Sequence, residues 1–364
     1  MLRLIARTSE TRSARWVLPV AAMIAALVVV SIAGAAVGAA PWSIAKALLW
    51  TPLSSDFGRR ESLVSATPFV FTGVAVAVAF RGGFYNIGAE GQMLAGAIGA
   101  AWIGPHIGHW PRPLAIAATV AIGLIFGALW ILPPAVLKVY RRTDEVVTTL
   151  MLNPVALLLV SALLTGPWKD PETGFPESER TATAAEFPRL FADSRIHLGL
   201  LVAIAVAGLC WYVINKRTTG IKYRAAGLAP EASRFAGLPV NRLNLAAALS
   251  SGAIAGLAGA SEVAGVQYRL TQGLSGGAGF TGIVAATLGG LTIIGSVLSA
   301  VMLGVVRVGS QSMSRTLGVP SQLGDLFTGV LLLFMASILI FRKYKLGFSP
   351  RFPRSEAAKD GAKA

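Results

Sequence analysis

The chain has 364 residues, 54% of them hydrophobic and 13% charged, with a mean hydropathy of +0.65. Soluble domains carry roughly 25% charged residues, so this composition excludes an ordinary soluble protein and makes the bilayer the solvent for most of the chain. The net charge of +15 does not mark a nucleic-acid binder, because Lys and Arg fall in short blocks between apolar runs, where a membrane protein needs them to fix its orientation.

A spanning helix needs about 20 predominantly apolar residues. The sequence predicts ten such runs: 17–40, 62–80, 84–104, 113–137, 146–165, 197–214, 243–262, 278–291, 292–311 and 323–341. The fold class is therefore all-α, a polytopic helical membrane protein with its membrane-spanning body at 17–341. The first run follows Arg3, Arg7, Arg12 and Arg15 and closes on Ala39-Ala40, which imitates a signal peptide. It exceeds a signal h-region of about 7–15 residues, so it reads as an uncleaved first span behind a cytoplasmic segment 1–16. Across the end of the second span and the start of the third runs a polar string, Phe80 to Gly96. After the fifth span comes a polar loop, 166–196, crowded with Asp170, Glu172, Glu177, Glu179, Glu186 and Asp193. After the sixth comes the longest basic loop, 215–242. The eighth and ninth spans form one Gly-rich apolar stretch that divides near Gly289-Gly290-Leu291, with one tilted helix plus a re-entrant segment as the alternative. A basic tail, 342–364, closes the chain.

With both termini cytoplasmic, the inner segments hold 21 of the 32 Lys and Arg residues, while the acidic loop 166–196 lies outside. The positive-inside rule thus favours N-in and C-in, in agreement with an even span count. Cys210 stands alone in an apolar run, and His106, His109 and His197 sit at span edges, so the sequence offers neither a disulfide nor a metal site. Three Gly-xxx-Gly pairs, Gly34/Gly38, Gly123/Gly127 and Gly252/Gly256, license close helix approach without naming a function.

The basic loop carries the most information. Pro230 suits the first turn of a helix and Glu231 complements its positive end. Phe235 and Leu238 supply apolar contact, Gly237 ends the helix and Pro239 prevents its continuation. The result is a helix of about two turns, too short to stand alone. Ala232 and Ala236 are four residues apart and share one face, which suits a helix seated in a groove. In the polar string, Asn86 and Glu90 are also four apart and are expected on one helix face, while Gly83, Gly88 and Gly91 allow irregular backbone or close contact. A charged and amide-rich cluster beside a span must find partners or water.

The loop resembles the coupling loop of ABC importer permeases of the branched-chain amino acid, ribose and simple-sugar family. The matching positions are Ala225, Gly227, Pro230, Ala232 and Gly237, with Glu231 and Ala236 between them. Leu228 departs from the acidic or polar residue frequent in relatives. The string Phe84-Tyr85-Asn86-Ile87-Gly88-Ala89-Glu90-Gly91-Gln92 resembles the Phe-Asn-Ile-Gly-x-Glu-Gly-Gln signature of the nucleoside and simple-sugar branch, with Tyr85 inserted. Asp144 to Asn153 resembles the family's acidic-led entry to a span, and Gly273 to Val284 its Gly-rich entry to a late one. The resemblance covers most of 62–340.

It implies a bacterial inner-membrane subunit whose coupling loop docks in a groove of a cytosolic ATPase. It further implies a second permease subunit beside it, contact with lipid, and a solute-binding protein on the outer face. The coupling residues would be Ala225, Gly227, Pro230, Glu231, Ala232, Ala236 and Gly237. The intramembrane polar cluster or translocation route would use Phe84, Tyr85, Asn86, Glu90 and Gln92. No cofactor is implied in this chain, because ATP belongs to the separate subunit. Leu274-Ser275-Gly276-Gly277 imitates an ATPase signature loop, but no Gly-x-x-x-x-Gly-Lys-Ser/Thr cradle occurs anywhere. An ion-coupled secondary transporter is the alternative function, yet Glu90 is the one plausible intramembrane carboxylate and no inverted halves are visible. A membrane enzyme would need a clustered nucleophile, base or metal set, and none is present.

Overall fold

The computed structural model describes residues 2–6, 14–170 and 174–348, so half of the segment 1–16 and most of the basic tail lie outside the described residues. We number the main helices α1 (Ala14–Ala35), α2 (Asp56–Arg81), α3 (Ala89–Ile103), α4 (Arg112–Arg141), α5 (Glu145–Thr165) and α6 (Leu198–Lys216). They continue as α7 (Thr218–Leu228), α8 (Pro230–Phe235), α9 (Val240–Glu262), α10 (Ala278–Leu288), α11 (Ile293–Leu317) and α12 (Gln322–Lys343). Three short helical turns over 41–54 bridge α1 and α2. Leu2–Ala6 pairs antiparallel with Tyr344–Phe348, which brings the two ends of the described chain to one side of the bundle.

Six helices, α2, α4, α5, α6, α9 and α11, are long and apolar enough to cross a membrane, and Val20–Ala35, Ala278–Leu288 and Gln322–Met335 are shorter apolar helices. Two of the expected spans are broken. The third, 84–104, becomes a helix of 15 residues that starts only at Ala89, and the eighth, 278–291, becomes one of 11 residues. Gly290 and Leu291 both have positive φ, and they divide α10 from α11 where the Gly-rich stretch predicted a break.

The centre of the bundle is α2, α3 and α9, which are almost wholly buried over 66–79, 89–101 and 251–261. α4 closes against α9 through two of the three Gly-xxx-Gly pairs, which face each other. A Cβ on Gly127 would stand 2.2 Å from the Gly252 carbonyl oxygen, and one on Gly256 would stand 2.2 Å from that of Gly123. Only hydrogen fits there, so backbone meets backbone across the interface. The third pair does not pack in this way: Gly38, at φ +90°, turns the chain out of the first span, and α1 ends at Ala35.

The loop 166–196 is fastened across one end of the bundle. Ser178 and Thr181 donate backbone N–H groups to the carbonyls of Leu270 and Tyr268 at 3.0 and 2.9 Å. Arg269 pairs with Asp170 and Glu177, and Arg195 pairs with Glu61 at 3.0 Å. Asp170 and Glu177 of the acidic crowd are thus consumed in holding the loop to the segment after α9, while Arg195 holds it to α2.

Candidate functional site

The basic loop folds into two helices rather than one. The sequence predicted α8; α7 before it was read only as loop. α7 is tied to the bundle by Tyr223, whose hydroxyl donates to the Val78 carbonyl of α2 at 2.9 Å. Burial pushes the Tyr223 phenol above its ordinary pKa, so it stays a donor. At the end of α7, Gly227 lies against the turn that follows α2. A Cβ on Gly227 would come within 2.5 Å of the Arg81 carbonyl oxygen, and one on Gly83 within 2.7 Å of the Gly227 Cα. Gly83 also holds φ +78°, which disfavours any other residue. This contact joins the loop directly to the polar string.

α8 is the opposite case. It begins at Pro230, carries Glu231 in its first turn paired with Arg234 at 2.6 Å, and stops at Phe235, with Gly237 at φ +77°. Ala232 and Ala236 are exposed, as are Pro230, Glu231 and Gly237, although Ala236 caps the helix rather than lying inside it. Leu228 and Phe235 are 85% and 97% exposed. Ala225 and Gly227 are half-buried on the bundle side.

The polar string does not form the helix face that its spacing predicted. Residues 84–88 are irregular, and Asn86 lies in them, outside α3. The reason is local: Asn86 Oδ1 accepts from the Gly88 N–H at 2.9 Å, a turn that competes with helix. Asn86 Nδ2 donates to Gln92 Oε1 at 2.8 Å and to Ser251 Oγ on α9 at 2.9 Å, while Gln92 Nε2 donates back to Asn86 Oδ1 at 2.9 Å. Asn153 on α5 accepts from the Gly91 N–H at 2.9 Å and donates to the Ile87 carbonyl at 3.1 Å, and Thr149 Oγ1 accepts from the Ile87 N–H at 3.2 Å. Side chains thus satisfy the Tyr85, Ile87 and Gly88 N–H groups and the Ile87 carbonyl, while the Phe84 and Asn86 N–H groups bond to the Ala79 and Phe84 carbonyls.

Phe84 is fully buried, and Lys138 Nζ lies 5.0 Å from its ring centroid while donating to the Gly83 carbonyl at 2.6 Å. The same ammonium pairs with Glu145, which also accepts from the Tyr85 N–H at 3.2 Å. Tyr85 itself is half-exposed, edge-on to Phe80. Glu90, 3% exposed, reaches across to α10, where its Oε2 accepts from the Gly279 N–H at 2.7 Å. That N–H belongs to the first turn of α10 and has no partner within its own helix. A Cβ on Gly279 would lie 2.2 Å from the Glu90 nitrogen, so the two broken helices meet start to start.

All five predicted cluster residues therefore fall in one neighbourhood, but in three roles. Asn86 and Gln92 brace the break, Glu90 holds α10, and Phe84 and Tyr85 lie beside the Lys138–Glu145 pair. Reasoning from sequence missed Lys138, Thr149, Asn153, Tyr223 and Ser251. Glu145, Thr149 and Asn153 all lie in the acidic-led string 144–153, so that string carried their signal. Ser251 and Tyr223 carried none. Among the described residues no group of His, Cys, Asp or Glu gathers to hold a metal ion.

Comparison with known proteins places this architecture. Residues 59–336 match the family described as branched-chain amino acid transport system, permease component. The chain belongs to that permease family. The permease is 37% identical over 290 residues to the guanosine ABC transporter permease protein NupP of Bacillus subtilis, covering 78% of this chain and 82% of the relative. It is 33% identical over 343 residues to the glucose ABC transporter permease protein TsgB13 of Haloferax volcanii, covering 91% and 90%. It is 30% identical over 298 residues to the nucleoside ABC transporter permease protein NupB of Lactococcus lactis, covering 79% and 82%. No solved structure matches the permease. As a permease component it is a multi-pass transport subunit of an ABC system and not itself an enzyme.

Proposed function

We propose that this permease carries nucleosides, with simple sugars as the second solute class, through the inner membrane of a bacterium. It is driven by a separate ATPase and fed from outside by a solute-binding protein. A second, different permease subunit completes the route. The solute assignment draws on the polar string and on relatives named for guanosine, nucleosides and glucose. The chain crosses the membrane ten times, counting the short α3 and α10, with both termini and the α7–α8 loop in the cytoplasm and 166–196 outside. The Lys and Arg distribution and the pairing of Leu2–Ala6 with Tyr344–Phe348 support that orientation.

The observation that carries the reading is the division of labour in the basic loop. Among the described residues nothing covers Leu228 at the end of α7 or Phe235 at the end of α8, which fits an apolar ridge awaiting a groove. α7 is locked to α2 and to the broken segment before α3. A push on α8 is delivered through Gly227 and Gly83 to the Asn86 brace, and from Glu90 to α10. ATPase closure therefore has a rigid route to the two broken helices. The proposed coupling residues are Ala225, Gly227, Pro230, Glu231, Ala232, Ala236 and Gly237; Phe84, Tyr85, Asn86, Glu90 and Gln92 shape the route. The test is copurification of the ATPase with the permease, joined to uptake of labelled guanosine and glucose. Uptake that survives loss of the ATPase phosphate-binding lysine but dies with a proton uncoupler would refute the reading.

A further inference from the structure

Arg307 lies well inside α11 and not at its end. One guanidinium N–H donates to the Gly276 carbonyl at 3.0 Å, and the ring of Phe69 lies 5.8 Å from its carbon. Among the described residues no carboxylate forms an ion pair with it. A guanidinium has five N–H donors in a planar fork, so most of its donors are left for something else. An intramembrane cation with spare donors marks a polar route by default.

The same residue lines a cavity of about 230 Å³ between α2, α10, α11 and α12, with Phe69, Thr281, Gln311, Asp325 and Thr328. Its wall includes Gly276, part of the non-helical stretch that leads into α10. Irregular backbone at membrane depth is tolerated only where protein buries it or water reaches it. The cavity lies toward the end of the bundle that carries 166–196, since it takes in Asp325 at the start of α12.

We propose that this cavity is a nucleobase subsite on the solute route and that Arg307 reads the base. The proposal rests on the reading that the permease carries nucleosides. The chemistry fits in two respects. An Arg fork recognises two adjacent acceptors on one base edge, best the carbonyl and ring nitrogen of guanine, a pattern that a hexose lacks. Asp325 and Gln311 supply acceptors for the base's own N–H groups. The volume is below the roughly 300 Å³ where pockets for drug-sized ligands begin. It therefore admits a base while the ribose remains toward the mouth.

The experiment uses the full transporter, with its ATPase, partner permease and binding protein, reconstituted in vesicles. Uptake of labelled guanosine, adenosine and glucose is measured for wild type, Arg307→Lys, Gln311→Ala and Thr328→Trp, with ATPase copurification as the assembly control. Arg307→Lys keeps the charge and loses the fork, so the guanosine-to-adenosine preference should fall about tenfold. Thr328→Trp fills the cavity and should abolish nucleoside uptake in an assembled complex. A preference unchanged within twofold, or both nucleosides falling together, overturns the subsite while leaving the nucleoside reading intact. Wild type that carries glucose and neither nucleoside overturns the reading and the subsite with it. If Arg307→Lys fails to assemble, the preference in Gln311→Ala decides.

Discussion

Glu90→Ala tests the junction of the two broken helices. The carboxyl oxygen takes the Gly279 N–H at 2.7 Å in a 3% exposed position. Its removal strands a buried donor, at about 1–3 kcal/mol, and removes a carboxyl group from a helix N-terminus, at about 0.3–1 kcal/mol. The sum is about 2–3 kcal/mol after allowance for relaxation. At roughly 2–4 °C per kcal/mol for a large domain, the melting midpoint in detergent should fall about 4–12 °C. Glu90→Gln keeps an acceptor oxygen and loses only the charge-assisted part, about half the bond's strength, so its fall should be less than half as large. Leu94→Met, a buried swap one turn away, costs less than about 1.5 kcal/mol and serves as the control. Uptake should follow the same order, because α10 is the part released. If Glu90→Ala and Glu90→Gln both melt and transport like wild type, Glu90 does not hold α10 and the junction has no essential role.

Four further outcomes follow from the geometry. Ala232→Trp or Ala236→Trp, on the exposed face of α8, should leave expression and insertion intact but abolish ATPase copurification and uptake; retention of both would remove α8 as the docking element. Gly227→Val puts branched carbon where the Arg81 carbonyl oxygen stands 2.5 Å from a Cβ, so ATPase association should persist while uptake is lost, and normal uptake would show that the Gly83–Gly227 contact transmits nothing. In a Cys210→Ser background, Phe175→Cys should react with an impermeant thiol reagent in intact cells and Phe235→Cys only after permeabilisation; the reverse pattern would invert the orientation. Lys138→Met should destabilise the protein by about 1–3 kcal/mol, as for a half-buried polar group that loses its partner, through Glu145 and the Tyr85 N–H it holds; a melting midpoint equal to wild type would mean that the pair is not structural.

The membrane class, the helical body, the short helix Pro230–Phe235 and the division at Gly289-Gly290-Leu291 were all legible in the sequence. Each rests on a local rule. Apolar run length, proline and glycine punctuation, and the distribution of Lys and Arg act within a few residues and need no knowledge of neighbours. The two glycine pairs that pack α4 on α9 were also visible as spacing, but nothing in the spacing told them from Gly34/Gly38, which ends in a turn. Tertiary structure alone decided what the polar string does. Asn86 and Glu90 have helical spacing, yet Ser251, Asn153 and Thr149, distant in sequence, stabilise a break that isolated residues would not hold. The partner of Glu90 is a backbone N–H 189 positions away, and no side-chain pattern announces a main-chain donor. Nor does the place of Arg307 in its apolar run name the Gly276 carbonyl and the Phe69 ring that flank it, because those contacts are set by how α11 packs on α2 and on the stretch before α10, which is a property of the whole bundle.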